Sequence, residues 1–167
     1  MLLKGRKAIV TGSNRGIGKA IVKILAKNGA DVWACTRNFD DHFSHYVDNL
    51  AEEMGVNILP VYFDLADIEQ VKEGVKKIIS AKQPVDILIN NAGIIFTALF
   101  QMTTMEKMKE DFEINLFSQL FLTQQISRIM SRQKSGSIIN VSSSAAIEGN
   151  EGRIAYASAK AAMIAST

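Results

Sequence analysis

The chain is poor in the residues that form cross-links and metal sites. Its single cysteine, Cys35, lies within a predicted strand, so no disulfide can form inside the chain and we expect a buried thiol. The only histidines, His42 and His45, lie three residues apart on a predicted helix. Because no third ligand is near them, no metal site is predicted.

Long hydrophobic runs and a strong charge of either sign are also absent. No apolar run approaches the roughly 20 residues that cross a bilayer, and the N-terminus lacks the pattern of a signal peptide. We therefore expect a cytoplasmic protein with no membrane partner. The formal net charge of +2 gives no reason to expect nucleic acid. With 167 residues, 47% of them hydrophobic, the chain can form one domain covering residues 1–167.

Apolar runs alternate with amphipathic segments, which predicts an α/β fold. Strands are predicted at 7–11, 31–36, 57–63, 86–93 and 137–143. Helices are predicted at 17–29, 43–54, 68–79, about 104–132 and from about 152. Strands that are apolar on both faces indicate a Rossmann-type, doubly wound parallel sheet with strand order 3-2-1-4-5. We expect the first helix to pack through four apolar residues, Ile17, Ile21, Ile24 and Leu25.

Proline is scarce too, and one of the two prolines tests this strand order. Pro60 falls in the third predicted strand. Because proline cannot donate a hydrogen bond to a neighbouring strand, it is typical of an edge strand. The third strand is at an edge in the predicted order.

A glycine-rich turn, TGSNRGIG at 11–18, joins the first strand to its helix. Its spacing, G-x3-G-x-G, is a variant of the common dinucleotide-binding pattern. Glycine lets a diphosphate approach the backbone, and the helix N-terminus offers it free N–H groups. A purely structural turn is the alternative. The predicted cofactor contacts here are Gly12, Ser13, Asn14, Arg15, Gly16, Ile17 and Gly18.

The end of the second strand indicates which dinucleotide binds. An acidic residue usually stands there to bind the ribose 2′-hydroxyl, but this chain has Thr36 and Arg37. A guanidinium binds a 2′-phosphate, so Arg37, with Arg15 as a second candidate, favours NADP(H) over NAD. A solvated loop arginine is the alternative. After the third strand, Asp64 and Leu65 are predicted to meet the adenine, whereas Asp67 is better placed to cap the next helix.

The segment YASAK at 156–160 places a phenol and an ammonium one helical turn apart, on one helix face. A free tyrosine has a pKa of about 10, and proton transfer near neutrality needs a pKa about 3 units lower. A nearby cation supplies about 1–3 of these units. Tyr156 and Lys160 are therefore a candidate acid–base pair, and an ordinary helix pair is the alternative.

Three serines follow the fifth predicted strand. Ser143 is a candidate to bind a substrate carbonyl, whereas Ser142 and Ser144 are expected to satisfy backbone groups where the strand ends.

Taken together, the segments TGSNRGIG, NNAG (90–93) and YASAK, with Asn115 and Ser143 in order between the last two, resemble the classical short-chain dehydrogenase/reductase family. The resemblance implies that Tyr156 is the general acid and base, that Lys160 assists it and holds the nicotinamide ribose, and that Ser143 orients the carbonyl. It also implies that the Asn115 backbone binds a water linked to Lys160. The NNAG residues implied to line the cofactor site are Asn90, Asn91, Ala92 and Gly93, with a structural role open for Asn90.

Within that family the sequence is most similar to the 3-oxoacyl-(acyl-carrier-protein) reductases. The resemblance implies NADPH-dependent reduction of a carbonyl that is a small molecule or bound to a carrier protein, with Arg132 and Lys134 as candidate contacts for an acidic carrier. A solvated helix end is the alternative for these two cations. A homodimer or homotetramer is expected through the apolar helix at 112–126.

Two other functions stay open at this point. One is reduction of another ketone or sugar, or dehydrogenation of a steroid-like alcohol, and the other is nucleotide binding without catalysis. Members of the family continue past the YASAK helix with two more strands and a segment that closes over the substrate. We therefore expect the sequence to be a fragment, a truncated gene product or the ordered part of a longer chain.

Overall fold

The structure is a computed structural model that describes residues 1–167. Five parallel strands form one sheet in the order β3-β2-β1-β4-β5, which confirms the predicted fold class and strand order. Pro60 lies in β3, which pairs only with β2 and is an edge strand as predicted. The strands are β1 (Lys7–Thr11), β2 (Asp31–Thr36), β3 (Ile58–Tyr62), β4 (Ile87–Asn90) and β5 (Ser137–Asn140).

Helices cover both faces of the sheet and contribute to two separate cores. The core on one face joins the sheet to α1 and α2, and the core on the other face joins it to α3 and α5. Successive residues of β1 alternate between the two, with Val10 in the first and Ile9 in the second. The helices are α1 (Gly16–Lys27), α2 (Asp41–Met54), α3 (Ile68–Ser80), α4 (Met105–Phe112), α5 (Ser118–Gln133), α6 (Ala145–Glu148) and α7 (Ile154–Ala165).

The long helix predicted at 104–132 is interrupted. A π-helical turn, Glu113–Phe117, separates α4 from α5, and it contains Asn115. The Gln119 side chain donates a hydrogen bond to the Ile114 carbonyl at 3.0 Å and so satisfies a backbone oxygen within this turn. Single π turns inside helices are frequent at functional sites.

The predicted packing face of α1 is wrong in part. Ile17 is 65% exposed and Ile24 is 60% exposed, whereas Val22 and Ala26 are completely buried. Both sets of residues recur at helical spacing, so periodicity alone cannot choose between them. Leu25 is buried and Ile21 packs against the same core, so these two of the four predicted residues face the sheet. Gly18 lies on this face too, against the carbonyl of Gly12.

Two predicted helix ends have local explanations. Asp67 caps α3, since its Oδ1 accepts hydrogen bonds from the N–H groups of Glu69 at 3.0 Å and Gln70 at 3.3 Å. Gly29, just beyond α1, has φ +88°, which glycine adopts without strain. The carboxyl ends of all the strands meet at one edge of the sheet, where the candidate site lies.

Candidate active site

The glycine turn is shaped by close backbone contacts. A methyl group on Gly12 would lie 2.9 Å from the Cα of Ala92, and Gly12 has φ +68°. A methyl group on Gly18 would overlap the carbonyl of Gly12. Only glycine fits at either position, so the turn keeps its backbone open toward the carboxyl edge of the sheet.

The NNAG segment is fastened to this turn by hydrogen bonds. The Asn91 amide Nδ2 donates to the carbonyl oxygens of Thr11 at 2.9 Å and Gly12 at 3.3 Å. In return the Thr11 hydroxyl oxygen accepts from the N–H groups of Asn91 and Ala92, each at 3.0 Å. These four hydrogen bonds join the end of β1 to the end of β4, and the two strand ends form the floor of the site. Sequence reasoning missed Thr11, although its place directly before the glycine turn was a usable signal.

A cleft of about 600 Å³ lies above this floor. It is bounded by the glycine turn, the ends of β2 and β3 and the NNAG segment. The sequence-predicted residues that line it are Gly12, Asn14, Arg15, Gly16, Ile17, Gly18, Arg37, Asp64, Leu65, Asn91, Ala92 and Gly93.

Two predicted cofactor contacts do not face the cleft. Ser13 is completely buried, its hydroxyl donates to the Val10 carbonyl at 2.7 Å and its N–H donates to the Cys35 carbonyl at 3.1 Å. Asn90 is also buried, and its amide donates to Asn140 Oδ1 at 2.8 Å. These two residues hold the turn and the strands together, which corrects their inclusion among the cofactor contacts and supports the structural alternative for Asn90.

Both arginines proposed for a 2′-phosphate reach the same cleft. Arg37 follows β2, Arg15 precedes α1, and both side chains are exposed. Neither is engaged in a salt bridge within the chain. Two guanidinium groups at one end of a cleft are suited to a phosphate ester.

Asp64 and Leu65 stand at the end of the cleft next to β3. Asp64 Oδ1 accepts a hydrogen bond from the Ala66 N–H at 2.9 Å, so one carboxylate oxygen closes a local turn. The Leu65 carbonyl accepts from the Ser118 hydroxyl at 2.7 Å, which ties this end of the cleft to α5.

The acid–base pair lies on α7, beside the other end of the cleft. Lys160 is only 3% exposed, and its Nζ donates a hydrogen bond to the Val141 carbonyl at 2.8 Å. A methyl group on Gly93 would lie 3.7 Å from this Nζ, so the ammonium adjoins the cleft. Tyr156 is half-buried one helical turn earlier, on the same face of α7. Burial lowers the pKa of Lys160, and the negative charge of Asp111 opposes this effect.

The three serines after β5 make different contacts. Ser142 donates from its hydroxyl to the Lys160 carbonyl at 2.9 Å, as expected of a backbone-satisfying residue, and this bond ties α7 to the end of β5. Ser143 Oγ accepts from the Ala145 N–H at 3.3 Å, which leaves its hydroxyl hydrogen for another acceptor. Ser144, expected to behave like Ser142, precedes α6 without a capping hydrogen bond from its side chain.

Asn115 is completely buried in the π-helical turn. Its Oδ1 accepts from the Ile94 N–H at 3.1 Å and its Nδ2 donates to the Ile94 carbonyl at 3.0 Å. Its Nδ2 also donates to Asp111 Oδ1. The side chain therefore joins the loop after β4 to α4.

Asp111 is the ionisable residue near the site that sequence reasoning missed. It is completely buried at the end of α4. Burial raises its pKa, against the lowering effects of the Asn115 hydrogen bond, the Phe96 backbone amide and the charge of Lys160. The available signal was the spacing, since an acid four residues before Asn115 shares its helix face.

The family model of the short chain dehydrogenases matches residues 6–167. The chain belongs to this family. Short-chain dehydrogenases are oxidoreductases that use a nicotinamide cofactor, and the cleft meets the demands of such a group. Gly12 and Gly18 let the glycine turn pack closely against Ala92 and against its own backbone. The N-terminus of α1 and the two arginines, Arg15 and Arg37, border the cleft beside this turn.

Two other short-chain dehydrogenases illustrate the sequence similarity. The chain is 35% identical over 170 residues to the 3-oxoacyl-(acyl-carrier-protein) reductase of Thermotoga maritima, covering 100% of this chain and 67% of the relative. It is 33% identical over 165 residues to the same reductase of Aquifex aeolicus, covering 99% and 66%. The chain thus spans about two thirds of the length of these curated relatives.

A solved short-chain dehydrogenase extends the comparison to three dimensions. The L-sorbose reductase of Gluconobacter frateurii, solved with NADPH and L-sorbose, superposes with a TM-score of 0.92 at 30% identity. The match covers 98% of this chain and 62% of the other. The family is therefore shown by sequence and by structure, and these relatives differ in the carbonyl compound that their names specify.

The cations expected to meet a carrier protein lie far from this site. Arg132 is in the last turn of α5, and Lys134 follows it, just before β5 begins. In a parallel sheet this connection is at the amino edge, opposite the edge that carries the cleft. Contact of Arg132 and Lys134 with an acidic carrier protein therefore stays a prediction, for a surface at the amino edge of the sheet.

None of the helices combines the length and the apolar character that a bilayer crossing requires.

Proposed function

We propose that this chain catalyses the NADPH-dependent reduction of a carbonyl group to a secondary alcohol, with a 3-oxoacyl thioester of an acyl carrier protein as its substrate. The observation that carries the proposal is the position of Lys160. A lysine ammonium is costly to bury, and this one is buried against Val141 on the same helix face as Tyr156, beside Gly93 of the cleft. A protein that only bound a nucleotide would gain nothing from this arrangement.

The cofactor would be held by groups that already line the cleft. The backbone of the glycine turn and the N-terminus of α1 would bind the diphosphate. Arg37 and Arg15 would bind the 2′-phosphate that distinguishes NADPH from NADH. Asp64 would accept a hydrogen bond from the adenine amino group. When bound, NADPH supplies the hydride that reduces the carbonyl carbon.

Tyr156 and Lys160 of α7, with Ser143 after β5, would carry out the proton transfer. The Tyr156 hydroxyl donates its proton to the carbonyl oxygen as the carbon accepts the hydride, so the product is a neutral alcohol. Lys160 stabilises the resulting phenolate through its positive charge. The Ser143 hydroxyl, whose oxygen accepts from the Ala145 N–H, donates its hydrogen to the same carbonyl oxygen and fixes its direction.

The surface next to the site favours an acyl substrate. The loop after β4 is joined to the segment before α7, because the Ala98 N–H donates to the Gly152 carbonyl at 2.9 Å. This loop presents exposed apolar side chains at the carboxyl edge of the sheet: Ile95, Leu99, Phe100 and Met102. An apolar acyl chain gains free energy from contact with such a surface, whereas a sugar does not.

Reduction of a keto sugar is the second candidate, and the likeness to the L-sorbose reductase favours it. The same Ser143, Tyr156 and Lys160 would serve that reaction, so the site residues do not choose between the substrates. The choice depends on the apolar side chains of the loop after β4.

The experiment is a cofactor titration followed by turnover. NADPH binding is measured by fluorescence, and NADPH oxidation is then followed with acetoacetyl thioester and with L-sorbose. Oxidation with the thioester supports the leading proposal, and oxidation with L-sorbose alone supports the second. Tight NADPH binding with no turnover on either carbonyl would reject both in favour of a nucleotide-binding protein without catalysis.

We also propose a homodimer or homotetramer as the working assembly. Phe117, at the end of the π-helical turn, is about half exposed although its neighbour Leu116 is buried, and this gives the segment a second apolar face. Sedimentation of the wild type and of Phe117→Ser tests the proposal. A dimer or larger species that the substitution weakens supports it, and a wild type that sediments as a monomer at high concentration contradicts it.

A further inference from the structure

The carboxylate of Asp111 is buried, and only one of its two oxygens accepts a hydrogen bond from another side chain. Its Oδ1 accepts from Asn115 Nδ2, whereas its Oδ2 is buried without a partner at hydrogen-bond geometry. The Phe96 backbone amide is near enough to lower the pKa of this carboxyl group but forms no such bond with it. A buried carboxylate in this state costs free energy compared with an apolar residue of similar size. The stability of the fold therefore does not explain why an acidic residue, Asp111, lies at the end of α4.

Asp111 adjoins the acid–base pair through Asn115. Helix α4 packs against α7, and the π-helical turn packs against both. A methyl group on Gly93 would lie 2.6 Å from Asn115 Oδ1 and 3.7 Å from Lys160 Nζ, so Asn115 and Lys160 border the same small space. Asp111 and Lys160 form no direct ion pair, and the Asn115 amide joins the carboxylate to this space.

Asp111 and Lys160 are also electrostatic partners. Burial lowers the pKa of Lys160, and the charge of Asp111 is the influence that raises it. Conversely, burial raises the pKa of Asp111 and the charge of Lys160 lowers it. Each charge therefore makes the other less costly to bury.

We propose that Asp111 is a positioning residue for the proposed reaction, whose buried carboxylate fixes the Asn115 side chain and balances the charge of the Lys160 ammonium. Asp111 touches neither substrate nor cofactor. It acts by keeping Lys160 protonated while the Tyr156 hydroxyl transfers its proton to the substrate. Among the charged groups near the site, it is the one that can do so from inside the protein.

The other ionisable groups packed near α7 are differently engaged. The Glu113 carboxylate of the π-helical turn lies 2.9 Å from the Ser118 Oγ, whose single hydrogen also faces the Leu65 carbonyl at 2.7 Å. Glu110 of α4 is exposed and paired with Lys107 at 2.5 Å. The remaining ones are the exposed Glu106 and Lys109 of α4 and Glu148 of α6, with Arg153 preceding α7 and Tyr156 within it. Asp111 is the acid whose charge raises the pKa of Lys160.

This inference rests on the proposed reductase function, so its test begins without turnover. The Lys160 ammonium is titrated by NMR in cofactor-free protein that carries carbon-13-labelled lysine, and Lys160→Met assigns the signal. In Asp111→Asn the ammonium should lose its proton at a pH lower by about 1 unit than in the wild type. Glu110→Gln removes the same charge one residue earlier on the surface and should leave the titration in place.

Asp111→Ser is a second uncharged variant that can still accept from Asn115, and it is measured if Asp111→Asn does not fold. An unchanged Lys160 titration in a folded uncharged variant overturns the proposal, whatever the activity. With NADPH and a carbonyl substrate, the alkaline limb of kcat should also move to lower pH in the uncharged variant but not in Glu110→Gln. A wild type without turnover would refute the reductase function alone, since the NMR titration still tests Asp111.

Discussion

Asn115 and Ile94 bind each other through both atoms of the Asn115 side-chain amide, which accepts from the Ile94 N–H at 3.1 Å and donates to its carbonyl at 3.0 Å. This pair joins the π-helical turn to the loop that leaves the cofactor cleft. Asn115 also holds Asp111, so a single buried amide connects the cleft with α4. The family resemblance implied a role for the Asn115 backbone, whereas the side chain is what the structure shows to be engaged.

Replacing this amide should destabilise the fold. Asn115→Ala removes three hydrogen bonds and leaves the buried Asp111 carboxylate without its partner, so we expect the free energy of unfolding to fall by about 2–4 kcal/mol. Urea denaturation measures the change. Asn150→Ala, in an exposed loop, is the control and should unfold like the wild type. If Asn115→Ala and Asn150→Ala unfold at the same urea concentration, the hydrogen bonds between Asn115 and Ile94 contribute little to the stability of the fold.

The glycine floor can be tested by adding a single methyl group. Gly18→Ala places a Cβ against the carbonyl of Gly12, so the turn must move and NADPH should bind at least about tenfold more weakly. Ala20→Ser, on the exposed side of the same helix, should bind NADPH as the wild type does. Fluorescence titration compares them. Unchanged affinity in Gly18→Ala would show that the cofactor does not use this turn.

Arg37 should set the choice between NADPH and NADH. Arg37→Asp replaces a guanidinium with a charge that repels the 2′-phosphate, so NADPH affinity should fall by about 10–100-fold while NADH affinity does not fall. Lys23→Asp makes the same change in charge on an exposed face of α1 outside the cleft. If both variants lose NADPH affinity equally, the effect is one of overall charge and Arg37 is not the specificity residue.

The ionisation of Asp31 makes the stability of the fold depend on pH in the acidic range. Burial raises the pKa of its carboxyl group, but hydrogen bonds from Lys7 Nζ at 2.6 Å and the Asn57 N–H at 2.8 Å outweigh this, and the pKa lies below its usual value. A carboxyl group whose pKa is lowered by folding stabilises the fold above its unfolded pKa of about 3.9, and this stability disappears as the pH falls through the folded pKa.

Asp31→Asn should therefore be less stable than the wild type at pH 7, by about 1 kcal/mol because the Lys7 pair is partly exposed and screened by solvent. The difference should shrink below about pH 4, where the wild-type carboxyl group also becomes protonated. Thermal unfolding across this pH range measures it, with the exposed Asp48→Asn as control. A difference that stays constant down to acid pH would argue against the lowered pKa.

Most of the fold could be predicted because its signals are local. The apolar strands, the edge position of Pro60 and the Asp67 cap each depend on a few neighbouring residues, and the structure confirms them. The packing face of α1 was not predictable in this way. Ile17 and Ile24 fit a helical period as well as Val22 does, so periodicity alone does not decide which side faces the sheet.

The residues that line the site could be predicted from the sequence, but the hydrogen bonds that support them could not. The residues that line the cleft lie where the sequence motifs place them, but Ser13 and Asn90 are turned inward by hydrogen bonds that no motif records. The burial of Asp111 depends on how α4 packs against α7, which is a tertiary feature. Arg132 lies just before β5 as the sequence indicated, and the parallel direction of the strands puts it at the amino edge of the sheet, away from the cleft.

The central claim is that the Tyr156 hydroxyl transfers the proton during carbonyl reduction. The most direct measurement is single-turnover NADPH oxidation by the wild type and by Tyr156→Phe, with NADPH affinity determined for both. Tyr156→Phe should bind NADPH with nearly wild-type affinity and lose at least about 100-fold in rate. Oxidation at the wild-type rate by Tyr156→Phe would contradict it.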